Sequence, residues 1–319
     1  MTFHPVSFSR LAQLYLLTVG IVLAAACPAA AETNRTAPTR LTTTGIRTSG
    51  PLSVSLQNEV NEAIDRGRSW LLAQQNVDGS WGSNNCTRLS ALATLALAHD
   101  ASPEQKRAVE KGAHWLLSPA ATNPSCAFAP DTMAWRELTL QAVVPANAER
   151  TTDFLRQLSA RSTTNGFHPL ALMLIREAAA PQEFPYPWTQ NDSNTVSRLY
   201  TACLLCMPPG GNRPSSSANE ILMQLASQWS SRAMLAYDMA SITRPCWVLS
   251  HFINRAGGGT LADAQGRIVD WRNDLAKELV SSQTTAPQGT GGYWKSPAAF
   301  APLDPVENTA FALLALDEL

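Results

Sequence analysis

Charged residues are scarce in this chain: they make up 15% of its 319 positions, with 24 Lys and Arg against 25 Asp and Glu. With no basic excess and no basic cluster, nucleic acid is excluded as the expected partner. Sustained alternation of apolar and polar residues between hairpin turns is missing, which argues against a sheet protein. Beyond the N-terminus no apolar run approaches the ~20 residues that a membrane span needs. The chain also lacks a glycine-rich phosphate loop and a Gly-x-Ser-x-Gly elbow. Cysteines number only six. Cys203-x-x-Cys206 has no second pair at zinc spacing, so it reads as two small buried residues rather than a redox or metal site. No metal and no cofactor is expected.

What is present is apolar: 45% of the residues, ample for one large core. The N-terminus has the layout of an export signal, with Arg10, an apolar stretch from Leu11 to Ala26, and small residues at Ala29, Ala30 and Ala31. Residues 1–31 are therefore expected to be a cleaved signal peptide, and the protein to be periplasmic or secreted with no span left after cleavage. A lipid anchor on Cys27 is the alternative. Residues 32–54, rich in Thr, Arg and Ser, read as a flexible tether. Residues 55–319 read as a single domain.

Within that domain helices of two kinds alternate. Amphipathic ones are expected near 55–75, 103–118, 148–161, 217–230 and 266–282. More uniformly apolar ones are expected near 86–99, 131–144, 168–179, 194–207, 239–254 and 305–318. A helix that is apolar all round has to be buried. Two concentric rings satisfy this, with the apolar helices inside.

The stretch Arg66 to Trp81 carries a motif: Arg66-Gly67, then Trp70-Leu71, Gln75, Gly79 and Trp81. It reads as a helix, a turn rich in Asn, Asp and Gly, and a tryptophan that folds back. Lys111-Gly112, followed by Trp115-Leu116, repeats the first half about 45 residues later. Arg150 to Leu155 is a fainter copy. Gln288, Gly292 and Trp294 repeat the second half. At that period the domain has room for about six hairpins.

This motif resembles the QW repeat of the squalene–hopene cyclase, prenyltransferase and squalene oxidase family. Asp192-Ser-Asn194-Thr195 is similar to a segment of exported bacterial squalene-cyclase-like proteins. The resemblance implies an all-α fold, an α/α toroid with inner and outer helices. It also sets up a contrast. The cyclases of that family use an Asp-x-Asp-Asp acid, its prenyltransferases a zinc site that includes Asp-x-Cys, and complement-like thioester domains on the same toroid a Gly-Cys-x-Glu-Gln. None of these occurs here. Asp270 and Asp274 are the nearest acidic pair and read as a solvated face.

What remains is a set of polar residues at the starts of the apolar helices. Capping explains one Asp, Asn, Ser or Thr at each start. It does not explain Arg88, Arg136, Arg198 and Arg244 inside apolar helices, since a buried arginine needs a partner. Two readings follow. The arginines either pair with acids such as Asp131 and Asp192 to pin the ring, or they line a ligand site at its mouth together with Asp131, Trp135, Asp192, Asn194, Trp247 and His251. The expected function is binding of a lipid-like or glycan ligand, or of a partner, at that mouth. An isoprenoid cyclase is one alternative. A carbohydrate-active enzyme using Asp131, Glu137 and Asp192 is the other.

Overall fold

The computed structural model describes residues 52–82, 87–99, 101–122, 130–144, 203, 216–229, 243–257, 260–287, 289, 291–296 and 304–319. They form eight α-helices and one two-stranded hairpin: α1 (Val54–Ala73), α2 (Thr87–Ala98), α3 (Pro103–Leu117), α4 (Pro130–Val143), α5 (Ser216–Ser227), α6 (Thr243–Gly257), α7 (Trp271–Ser282), β1 (Thr284–Thr285), β2 (Gly292–Tyr293) and α8 (Pro305–Leu316). The protein is thus mostly helical. No helix among the described residues is long and apolar enough to cross a membrane. The helices expected near 148–161, 168–179 and 194–207, the signal peptide and nearly all of the tether lie outside the described residues.

Local chemistry sets the helix starts. Ser102 and Gln105 form a reciprocal capping box, with Pro103 at the first helical position. Asp304 accepts from the Val306 amide at 2.8 Å, with Pro305 next to it. Helix α7 begins at Trp271 rather than near 266. Asp263 accepts from the amides of Gln265 and Arg267, and Gly266 takes a left-handed φ of 75°, so this stretch is a tight turn.

The apolar helices form the inside. Nine of the twelve residues of α2 are buried, and ten of twelve in α8, which leaves neither a solvent face. Helix α2 packs between α4 and α8, and α8 between α2 and α6; α1, α3, α5 and α7 lie against this inner row. Helices α2, α6 and α8 run in the same direction. Residues at their starts meet, Arg88 with Glu307 and Thr243 with Asn308. So do residues at their ends, His99 with Asp317 and Asn254 with Glu318.

The motif residues build a clasp, and the clasp occurs twice. Trp81 is fully buried; its indole Nε1 donates to Leu71 O at 2.8 Å and its amide to Ser90 Oγ at 2.9 Å. Gln75 Nε2 reaches the next hairpin at Ala108 O, 2.9 Å away. A Cβ added at Gly112 would meet the Trp81 ring at 3.0 Å and Thr94 Oγ1 at 2.3 Å. The bare backbone of Gly112 is therefore the seat of the tryptophan. The second clasp uses the same positions. Trp294 Nε1 donates to Leu279 O at 2.8 Å and its amide to Thr309 Oγ1 at 3.2 Å. Gln283 Nε2 donates to Ala63 O at 2.8 Å. A Cβ on Gly67 would meet the Trp294 ring and Leu313 Cδ2, each at 3.0 Å. The first motif thus grips the hairpin that follows it, and the last motif grips the first hairpin.

The glutamine of the second clasp is Gln283. Gln288 lies outside the described residues, and Gly292 packs on the Gln283 side chain. Gly79 holds φ at 95°, and a Cβ there would come within 2.5 Å of Lys111 O. Gly79→Ala should therefore cost about 2–3 kcal/mol, from left-handed strain plus the displaced backbone. Urea denaturation measures this, and an unchanged midpoint would mean that the turn does not press on α3.

Candidate functional site

The parallel helices α2, α6 and α8 create two ends. At the end formed by their N-termini, Arg88 in the first turn of α2 donates from Nη2 to Glu307 Oε2 at 2.7 Å. The Glu307 side chain is 2% exposed and that of Arg88 31%. Arg136 of α4 pairs with its neighbour Glu137 and donates from Nε to Leu116 O at 2.9 Å. Thr243 of α6 donates to Asn308 Oδ1, and Asn308 Nδ2 to Ser296 Oγ, both at 3.1 Å. Arg244 is half-buried in the first turn of α6. Asp131 stands in the first turn of α4. Asp192, Asn194 and Arg198 lie outside the described residues.

Three aromatic rings from three helices meet in the core. Trp135 of α4 lies 5.4 Å from Trp247 of α6 and 5.8 Å from Phe311 of α8, and Trp247 lies 5.6 Å from Phe311. All three are buried. Offset and edge-on contacts of this kind suit aromatic quadrupoles. Trp135 and Trp247, two of the ligand candidates, therefore contribute to a packed centre.

His251, another candidate, belongs to the opposite end. It stacks on Trp247 at 5.4 Å, and its Nδ1 meets Glu318 Oε1 at 2.7 Å. Asn254 Nδ2 donates to Glu318 Oε2 at 2.9 Å, and Arg272 Nη2 to Asn254 Oδ1 at 2.9 Å. Burial pushes the Glu318 carboxyl up, but the hydrogen bond and charge of His251, with help from Asn254 and Arg255, hold it below the ordinary glutamate value. Arg68 of α1 donates from Nη2 to Asp317 Oδ1 at 3.2 Å. Arg68, Asp317 and Glu318 were not among the sequence candidates.

Cys203 and Cys246 are both buried. Burial pushes the Cys246 thiol far up, so it is an inert core residue. Among the described residues no three His, Cys, Asp or Glu side chains could hold a metal ion together. Asp274 accepts from Trp229 Nε1 at 2.9 Å, a structural bond. No family model matches the chain, and no curated protein or solved structure matches it.

Proposed function

We propose that this chain is an exported α/α toroid of the squalene-cyclase-like repeat type that works as a binding module at the mouth formed by the N-termini of its inner helices. The observation that supports this is the mutual contact of the buried Trp135, Trp247 and Phe311, three large side chains packed on one another between α4, α6 and α8, in the part of the toroid we propose where a cyclase would need a chamber. Closure of the ring is supported by the two equivalent clasps and by the place of α8 between α2 and α6. At the mouth, helix N-termini and the partly exposed Arg88 side chain favour an anionic group, a phosphate or carboxylate on a lipid-like or glycan ligand.

The test is a thermal-shift screen with polyprenyl phosphates and anionic oligosaccharides, repeated on Arg198→Ala and Asp192→Ala. A melting-temperature rise with one ligand class, lost in a variant that folds normally, is the expected result. Both variants melting several degrees lower, with no ligand in the screen giving a shift, would overturn binding and leave a scaffold. Incubation with squalene should give no cyclised product, since no Asp-x-Asp-Asp acid is present. A cyclised product abolished by changing a single Asp would establish the cyclase alternative. For export, the mature N-terminus should be found at or near Glu32 outside the cytoplasm, and cytoplasmic protein keeping Met1 would refute it.

A further inference from the structure

The described helices fall into two runs of the chain. Helices α1 to α4 pack on one another, and so do α5 to α8 with the β1–β2 hairpin. The first run ends at Val143 and the second begins at Ser216, so each is continuous and the chain passes from one to the other once. The runs meet at a seam in which α1 and α2 face α7, β2 and α8. At its centre the buried Trp294 ring lies over the bare backbone of Gly67, beside Leu313. Around it Gln283 Nε2 donates to Ala63 O at 2.8 Å, Arg66 Nε to Gln283 Oε1 at 2.9 Å, and Arg88 Nη2 to Glu307 Oε2 at 2.7 Å. A buried aromatic anchor in a fitted seat, with polar bonds about it, is the anatomy of an interface between subunits. Here both sides belong to one chain.

We propose that this seam is exchangeable between two copies of the chain: α5–α8 of each copy packs on α1–α4 of the other, and each Trp294 seats on the other copy's Gly67. The exchange creates no new contact and loses none across the seam, which is the condition for swapping identical elements between protomers at low cost. The meeting of Trp135 with Trp247 and Phe311 also joins the two runs and re-forms in the same way.

The two clasps show which seam is free to exchange. Trp81 and its seat Gly112 lie in the same run, and Gln75 bonds a carbonyl 33 positions away, so that clasp stays within its own copy. Trp294 and Gly67 lie in different runs, and Gln283 bonds a carbonyl 220 positions away, so the chain constrains that clasp far less. Mass action sets the balance between the closed and the exchanged forms. Tethered partners meet at an effective concentration of up to roughly 1 mM, so the wild type in dilute solution closes on itself. Spoiling the tethered seam removes that advantage and exposes the exchange. The proposal rests on the seam alone and stands whether or not a ligand binds at the mouth.

Two full-chain variants that spoil opposite sides of the seam test it. At Gly67 a Cβ meets Leu313 Cδ2 and the Trp294 ring at 3.0 Å each, both from the other run, so Gly67→Val spoils the first run's side. Trp294→Ala spoils the second run's side. In either variant alone every seam, tethered or exchanged, has one spoiled side. Refolded together from urea in equal amounts, the two form a mixed dimer in which one seam is wholly wild type and the other sets the added bulk against the cavity. Native mass spectrometry tells the copies apart. The mixed dimer should outnumber the two like dimers together about tenfold, the ratio that a preference of about 1.4 kcal/mol gives, where chance gives equal amounts. At the same total concentration the mixture should also have a higher urea midpoint than either variant. Both readouts hold even where neither variant folds alone. A mixture without dimer, or with mixed and like dimers in chance proportion, would overturn the proposal, as would a midpoint no higher than those of the components. Gly67→Val as stable as the wild type would overturn it too, since the seat would then not be a close one.

Discussion

Replacing Trp294 with alanine should cost about 3–5 kcal/mol, enough to unfold a large fraction of a marginally stable domain at growth temperature. Three losses combine. The indole is 1% exposed, so the substitution leaves a cavity the size of the ring. Leu279 O loses its donor, and the Gly67 backbone loses the surface that covers it. Because the ring joins the last hairpin to the first, the loss is not confined to one loop, and α1 and α8 should lose amide protection together. Trp81→Ala breaks the equivalent clasp and should cost a similar amount. Trp70→Ala removes a half-exposed ring stacked on Tyr293 at 5.1 Å and should cost much less. Urea denaturation of the three variants decides this. Equal and small shifts for all of them would show that the tryptophans are not the rivets described.

Arg88→Ala should cost about 3 kcal/mol, the lower end for breaking a buried pair because the Arg88 side chain is about a third exposed. The carboxylate of Glu307 stays buried after its 2.7 Å partner is removed, and that remaining charge is the source of the cost. Replacing both residues with leucine should recover much of the loss, since two apolar side chains leave no charge behind. The pair of measurements also separates a girdle from a site. If Arg88→Ala melts like the wild type and yet abolishes a ligand-induced shift, the arginine serves a ligand. If it melts low and the double variant recovers, it serves the fold.

The helices were legible because their apolar residues leave little choice. Helix α2 was expected near 86–99 and α8 near 305–318, within two residues of where they lie, since a segment apolar all round has only the interior to occupy. Helix α7 starts at Trp271, later than its amphipathic pattern suggests. The Asp263 side chain and the positive φ of Gly266 make a turn first, and Asp followed three residues later by Gly was the signal for it. Gln283 was missed for a different reason. It precedes Trp294 by eleven residues where Gln75 precedes Trp81 by six, the added length being taken up by the β1–β2 hairpin. A search by fixed spacing settles on Gln288, whereas the helical step is preserved: each glutamine stands four residues after the leucine whose carbonyl the tryptophan takes.

The site was legible at one end only. The unexplained arginines pointed to the helix starts, and Arg88 and Arg136 do have acidic partners there, Glu307 and Glu137. Nothing in a linear sequence puts Glu307 opposite Arg88, 219 residues away. Asp317 and Glu318 were overlooked because acids that follow an apolar helix usually face water. Their partners come from three helices that are remote in the chain, and only the packing brings those together.

The two clasps are alike in contacts and unlike in reach. Gln75 binds a carbonyl 33 positions along the chain, whereas Gln283 binds one 220 positions away. Loop-closure entropy makes the longer connection dearer by about 1.7 kcal/mol if the chain between is flexible. The short seam can therefore form while the rest of the chain is still being made, and the long one has to wait until the intervening hairpins have shortened the gap. Loop closure alone therefore favours the seam between α1 and α3 as the earlier to form and the meeting of Trp294 with Gly67 as the later, although the finished contacts carry no such order.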